Sequence, residues 1–433
     1  AIALRGPNRT ITILEQSSFL REVGAAISLQ PNASKILEQR WGVGVGVGDD
    51  PTEPACPRIV DRGFRIYSTA PPPDGRLVGE VPLTKGRAAY GADRVIYHRR
   101  DLHALLLHAA TTAATAVAAA PRRAGAPPAA VRLRARVVAC DPEAGSVTLA
   151  GGDGQRTTTT LTADLVVAAD GIHSALRATV LRADDDDDDD DAAAAAVAVP
   201  TGLAAYRFTL PIARLRAACP AFAARIDPAA PYTSMVVGDG GPDGDVRRLV
   251  MGPCRTDAGD PDAGEYAVVG LVPDDDHHHR SLTKGEEEEG AGGGRLTTSW
   301  NSEGSIEALK EAYRDFPEWV TGMFAAVEGP VGLWQLRDLE PLARWRRGRV
   351  VLVGDAAHAM LPTQGQGASQ SVEDAEALGA VFEDVESWVD GEEVGRRLDE
   401  MVACRYERAT LIQAYSRQAA RPATNGVDGK ITL

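Results

Sequence analysis

Apolar and polar positions alternate along residues 10–16, TITILEQ, and this β-branched run predicts a strand that ends on a carboxylate, Glu15. The residues before it, AIALRGPNR, read as the last turns of a helix and a short loop. REVGAAISLQPNASKILEQRWGV then predicts a loop, a capped helix from about Pro31–Asn32 and a glycine-rich exit. Residues 95–98 fit a short strand and residues 100–120 a long helix. Residues 131–140 and 146–149 alternate like the arms of a hairpin around the turn DPEAG. DLVVAA over 164–169 predicts a buried strand, followed by a turn at Asp170–Gly171 and a helix from Ser174.

The rhythm then breaks. The aspartate and alanine tracts over 184–196 predict a disordered surface loop. AAYRFTL, YTSMVV, RRLVMG and YAVVGLV follow as strand-like runs, which predict an antiparallel sheet. A second disordered insertion is expected at 274–294, then helices over 305–316 and 317–327. Near the end, RVVLV (349–353) predicts a buried parallel strand running straight into GDAAH, with helices over 370–385 and 393–417. The order is α/β, mostly β, then α/β again. It predicts a cofactor-binding domain over 1–199, an inserted sheet domain over 200–335, and a return to the first domain with C-terminal helices over 336–433.

Composition changes this picture little. A chain of 433 residues is too long for one core, and 44% hydrophobic residues suffice for two. The net charge of −15 argues against a nucleic-acid partner only weakly, because the acidic tracts 184–191, 274–276 and 286–289 contribute all fifteen charges. Cys56, Cys140, Cys219, Cys254 and Cys404 are odd in number and scattered, which supports neither a disulfide framework nor a zinc site and fits a reducing, cytoplasmic setting. His277–His279 sit among acids and read as a chance loop rather than a metal site. The apolar run 109–120 is too short for a bilayer, which needs about 20 residues.

Three segments carry chemistry. Glu15, at the tip of a strand, is placed to accept hydrogen bonds from a ribose. Asp170–Gly171 stands at a strand-to-helix turn that Ser174 can cap. In GDAAHAMLPTQGQGASQSVEDAEAL, Asp355 ends a buried strand, Pro362 turns the chain, and Gly365 and Gly367 lead into a helix starting near Ala368. Free N–H groups at such a start suit the negative N1–C2=O edge of a reduced flavin, and glycines let the backbone approach a flat ring.

These pieces, with YHRRDLHALL, AAYR and LWQLRDLEPLARWRRGRVVLVGDAAH, resemble the FAD-dependent monooxygenases that hydroxylate aromatic rings, of the salicylate and para-hydroxybenzoate hydroxylase kind, with fungal secondary-metabolism members closest in flavour. The resemblance implies a glutathione-reductase-type, para-hydroxybenzoate-hydroxylase-like α/β fold: a Rossmann-like FAD-binding domain with an inserted, mostly antiparallel substrate sheet. It implies FAD as cofactor, NAD(P)H and O2 as co-substrates, and hydroxylation or epoxidation of a small aromatic or polycyclic substrate through a flavin C4a-hydroperoxide. The partners it implies are small molecules, with no nucleic acid or metal, in a monomer or homodimer. By residue, it implies that Glu15 holds the ribose, that Gly24 and Ala26 line the flavin, and that Arg99 contacts FAD. Asp170 then helps place FAD and NAD(P)H, while Asp355, Pro362, Gly365, Gly367 and Ala368 hold the flavin. Arg207 of AAYR matches a substrate-facing cation, and Gly252 stands where relatives carry a tyrosine, for which Tyr206 and Tyr232 are candidate replacements. The expected GxGxxG turn is not seen before Glu15, so an inert fragment of such an enzyme is one alternative and an FAD oxidoreductase without hydroxylation another.

Overall fold

The computed structural model describes residues 1–18, 26–44, 56–69, 74–112, 125–151, 158–182, 194–238, 245–257, 259–274, 301–329, 331–385 and 390–421, with short pieces at 424–425 and 431–432. The aspartate tract, the histidine run and the bulk of the second expected insertion lie outside the described residues.

Eight strands build the large sheet: β1 (Gly63–Ser68), β2 (Arg76–Pro82), β3 (Val199–Pro211), β4 (Thr233–Val237), β5 (Arg248–Arg255), β6 (Glu265–Pro273), β7 (Asn301–Gly304) and β8 (Val331–Asp338). Their spatial order is β7-β8-β3-β6-β5-β4-β1-β2, antiparallel except for the parallel pairing of β4 with β1. The division expected at residue 200 does not follow this sheet, because β1 and β2 come from the first segment. β2 was not legible as a strand. It is an edge strand exposed at nearly every position, so no apolar alternation marks it, and backbone pairing with β1 supports it instead.

Two smaller parallel pairings sit beside this sheet. Thr12–Leu14 pairs with Ala130–Arg132, and Val166–Ala168 pairs with Val350–Leu352. The run expected as one strand over 131–140 is split. Arg134 adopts a left-handed conformation with φ 54°, which no continuous strand tolerates. Residues before it join the parallel pair, and Val137–Asp141 turns into the hairpin with Ser146–Leu149.

Three helices matter for the site: α1 (Arg99–Thr111), α2 (Gly367–Val381) and α3 (Gly391–Ala419). Helix α2 begins three residues earlier than the 370–385 expectation, because Gly365 at φ 60° ends a short 3-10 turn over Pro362–Gln364 and releases the chain into the helix at once. The large sheet buries one face under short helices in a cluster around Tyr206, Phe208, Phe222, Tyr266, Tyr313 and Phe324. Its other face meets the cofactor-side elements through Leu203, Ala205, Leu271 and Leu336 against Leu361 and Ala420. A second contact joins Cys254 and Ala267 to Ile59, Ile96 and Ala26.

Candidate active site

Parallel strands deliver their carboxyl ends to one edge, and ligands of open α/β sheets bind there. Val353 N–H donates to the Ala168 carbonyl at 3.1 Å, so the turns at Asp170–Gly171 and Gly354–Asp355 leave the sheet side by side. Gly354 is required at its position. It has φ 60° and ψ −140°, and a Cβ there would lie 2.8 Å from the Ser371 Oγ.

Arg177, almost wholly buried, ties the two turns together. Its Nε donates to the Ala356 carbonyl at 2.7 Å, Nη1 to Ile172 and Ala196 at 3.0 and 2.7 Å, and Nη2 to Gly171 and Asp355 at 3.1 and 3.0 Å. Burial lowers its pKa, against the opposing pull of Asp170 and Asp355. Sequence reasoning placed Arg177 on the helix but gave it no role. Its partners are carbonyls, which leave no pattern in a sequence.

Asp355 projects to a solvent-accessible position, yet protein encloses it enough that desolvation raises its pKa. His358, Arg99 and Arg177 oppose that rise through their charges. Asp170 is also exposed and accepts the Ala175 N–H at 2.8 Å, while Ser174 Oγ accepts the Arg177 N–H at 3.1 Å.

Beyond Asp355 the chain folds inward. The His358 ring is fully buried, its Nε2 2.6 Å from Asp374 Oδ2 and its face against Trp345. Asp374 also accepts the Gly354 N–H at 2.9 Å and pairs with Arg405 of α3 at 2.9 Å. Burial would raise the Asp374 carboxyl, but the hydrogen bond from His358 and the charges of His358 and Arg405 hold it below its ordinary value. This network fixes the Gly354–Asp355 turn to α2 and α3.

The turn before α2 packs against the first segment. A Cβ on Gly365 would sit 3.1 Å from Ser28 Oγ, and Gln30 N–H donates to Ser369 Oγ at 3.0 Å. Pro362 is exposed on the 3-10 turn, whereas the Ala368 methyl packs into the cluster around Leu29, Ala33 and Val372. The first N–H groups of α2, at Gly367 and Ala368, have no side-chain cap. Ala26 pairs with His98, which puts Arg99 beside it. Gly24 lies outside the described residues. Glu15 ends its parallel strand as expected, and its Oε1 accepts the Ser17 N–H at 2.7 Å.

Arg207 stands on the face of the large sheet that meets these elements, between Ala205 and Thr209 on β3. Its side chain is half-buried, and the Arg99 charge acts on it as well as on Asp355. The Arg99 charge favours the ionised form of Asp355 and disfavours that of Arg207. Tyr206 points the other way, into the aromatic cluster, so it cannot stand in at this face. Tyr232 lies under Arg65, 3.7 Å from the ring centroid. Gly252 is close-packed, since a Cβ there would be 3.0 Å from the Tyr232 carbonyl.

The chain's similarities agree with this geometry. The FAD binding domain family model matches residues 333–414. Hispidin-3-hydroxylase of Neonothopanus nambi is 29% identical over 427 residues, 96% of this chain and 84% of that protein. Salicylate hydroxylase of Pseudomonas putida is 27% identical over 94% of this chain and 78% of its own length. A solved salicylate hydroxylase substrate complex superposes with a TM-score of 0.62 at 23% identity, over 96% of this chain and 88% of that one.

Proposed function

We propose that the chain is an FAD-dependent aromatic monooxygenase and that its active site lies where the strand-end turns face the large sheet, with an aromatic substrate hydroxylated there. The observation that carries this reading is the pair of strand-end turns at Asp170–Gly171 and Gly354–Asp355, held side by side through Arg177, with the uncapped start of α2 close behind them in the chain.

The residues present fit FAD at the flavin end. The Gly354–Asp355 turn offers an accessible carboxylate for ribityl hydroxyls. Gly365, where a Cβ would crowd Ser28, and the uncapped N–H groups at the start of α2 would hold the flavin. Arg99 and Ala26 border the same region, and Glu15 is available to a ribose. When bound, FAD supplies the redox and oxygen chemistry, drawing its electrons from NAD(P)H. The chain orients the substrate and excludes water. Arg207 holds an acidic oxygen of the substrate in its ionised form, which raises the electron density of the ring to be hydroxylated. Asp170, fixed to the second turn through Arg177, keeps the flanking loop in register.

The test uses the purified chain with added FAD, NAD(P)H and O2. A yellow protein that consumes both co-substrates and hydroxylates an aromatic supports the reading. A colourless chain that takes up no FAD overturns it. Reduction of FAD without product hydroxylation would reassign the chain to a dehydrogenase.

A further inference from the structure

Among the described residues, Arg207 is a largely desolvated arginine without an ion pair. Its Nε is buried without a hydrogen-bond partner, and among the described residues no carboxylate or carbonyl engages its guanidinium. Its charged neighbour is another cation, Arg99. Desolvation and that like charge both work against its protonated form. A withdrawn cation in this state is held in place by something other than an ion pair.

The structure shows what holds it. Trp334 of β8 lies diagonally across from Arg207, because Arg207 pairs with Gly332 and Ala205 pairs with Trp334. The Arg207 Cζ is 5.3 Å from the centre of the Trp334 ring. The indole can lie there only because position 332 has no side chain. A Cβ on Gly332 would fall 2.1 Å from two atoms of that ring. The pair Gly332 and Trp334 in VGLWQL is therefore a built support, and neither residue is used by the flavin elements. Guanidinium planes rest on aromatic faces and keep their in-plane N–H groups directed outward.

We propose that Trp334, seated over Gly332, is a positioning residue that holds the Arg207 guanidinium with its N–H edge open, and so selects aromatic substrates that present an anionic oxygen, a carboxylate or a phenolate. This rests on the active-site reading above and deepens it. The Arg99 charge adds to the same preference, since two cations near one another attract an anion more strongly than a neutral ring. A neutral ligand of the same shape gains nothing from either.

Isothermal titration of the FAD-loaded protein with salicylate and with its neutral counterpart salicylamide separates the possibilities. The wild-type protein is expected to favour salicylate by about tenfold or more, the size of one charge-assisted hydrogen bond. Trp334→Leu should bring the two affinities together, mainly by weakening salicylate. Trp334→Phe keeps an aromatic face and should retain the preference. Gly332→Ala displaces the indole without removing it and should reproduce the Trp334→Leu result. Equal weakening of both ligands, or a preference that survives in Trp334→Leu and Gly332→Ala, would make Trp334 a merely structural residue and overturn the proposal. FAD uptake is read separately from the flavin spectrum of the same samples. Variants that hold FAD like wild type while losing salicylate selectivity support the proposal. A wild-type protein that takes up no FAD overturns the active-site reading and this inference with it.

Discussion

Arg177 and Arg207 are both withdrawn from water, and their surroundings predict opposite outcomes on replacement. Arg177 donates to five backbone carbonyls, so Arg177→Leu strands those acceptors and separates the two turns. The expected loss is on the order of 3 kcal/mol, since each unsatisfied buried group costs about 1–3 kcal/mol and the effects are not additive. Chemical denaturation checks this, and a change below about 1 kcal/mol would refute the stapling role. Arg207 has no such partners among the described residues. Arg207→Met removes a desolvated cation beside Arg99 and keeps the volume, so thermal stability should hold or rise. Its cost should appear in binding an anionic aromatic.

At the level of elements, two glycines hold backbone conformations that a side chain would strain. Gly365 at φ 60° ends the 3-10 turn, and Gly354 at φ 60° and ψ −140° starts the Asp355–His358 turn. Gly365→Val places a β-branched residue in a left-handed conformation, costing about 1–2 kcal/mol, and narrows the approach to Ser28. FAD affinity should fall about tenfold or more while the large sheet keeps its far-UV signal, and flavin-fluorescence titration reads the loss. Ser305 is a control outside the site. Its Oγ accepts the N–H groups of Glu307 and Ala308, so Ser305→Ala should cost about 1 kcal/mol of stability and leave FAD binding unchanged.

Over the whole molecule, α3 joins the two halves. Gln413 donates to the carbonyls of Leu339 and Ala359 at 2.9 and 3.0 Å, and Arg248 of β5 caps the helix end through Ala419 at 2.8 Å. Arg405 reaches from the same helix to Asp374. The Asp374 carboxyl is held below its ordinary value of 3.8, so its folded pKa lies below its unfolded one. Its contribution is present above pH 3.8 and disappears as pH falls through the lowered value. Asp374→Asn should therefore be less stable at neutral pH and show a shallower loss of Tm below about pH 4 than the wild type. An unchanged acid limb would count against the network. No helix among the described residues is long and apolar enough to cross a membrane, and none of the five cysteines is in a disulfide.

The chain order of elements was legible from local rules. Short runs rich in β-branched residues marked Val95–His98 and Val350–Leu352, a glycine pair marked the start of α2, and a strand-end carboxylate marked Asp355. These depend on neighbours within a few residues, which the sequence by itself determines. The resemblance to FAD-dependent monooxygenases was legible for the same reason, since GDAAHAMLPTQGQGASQSVEDAEAL is one continuous segment. What joins distant segments was decided only in three dimensions. β2 has no alternation and exists through its pairing with β1, and Arg134 splits a run that reads as one strand. Arg177 finds carbonyls up to 179 residues away, and Trp334 meets Arg207 because the register of β3 and β8 sets them diagonally. Carbonyl partners and cross-strand diagonals carry no side-chain pattern, so packing alone selects them.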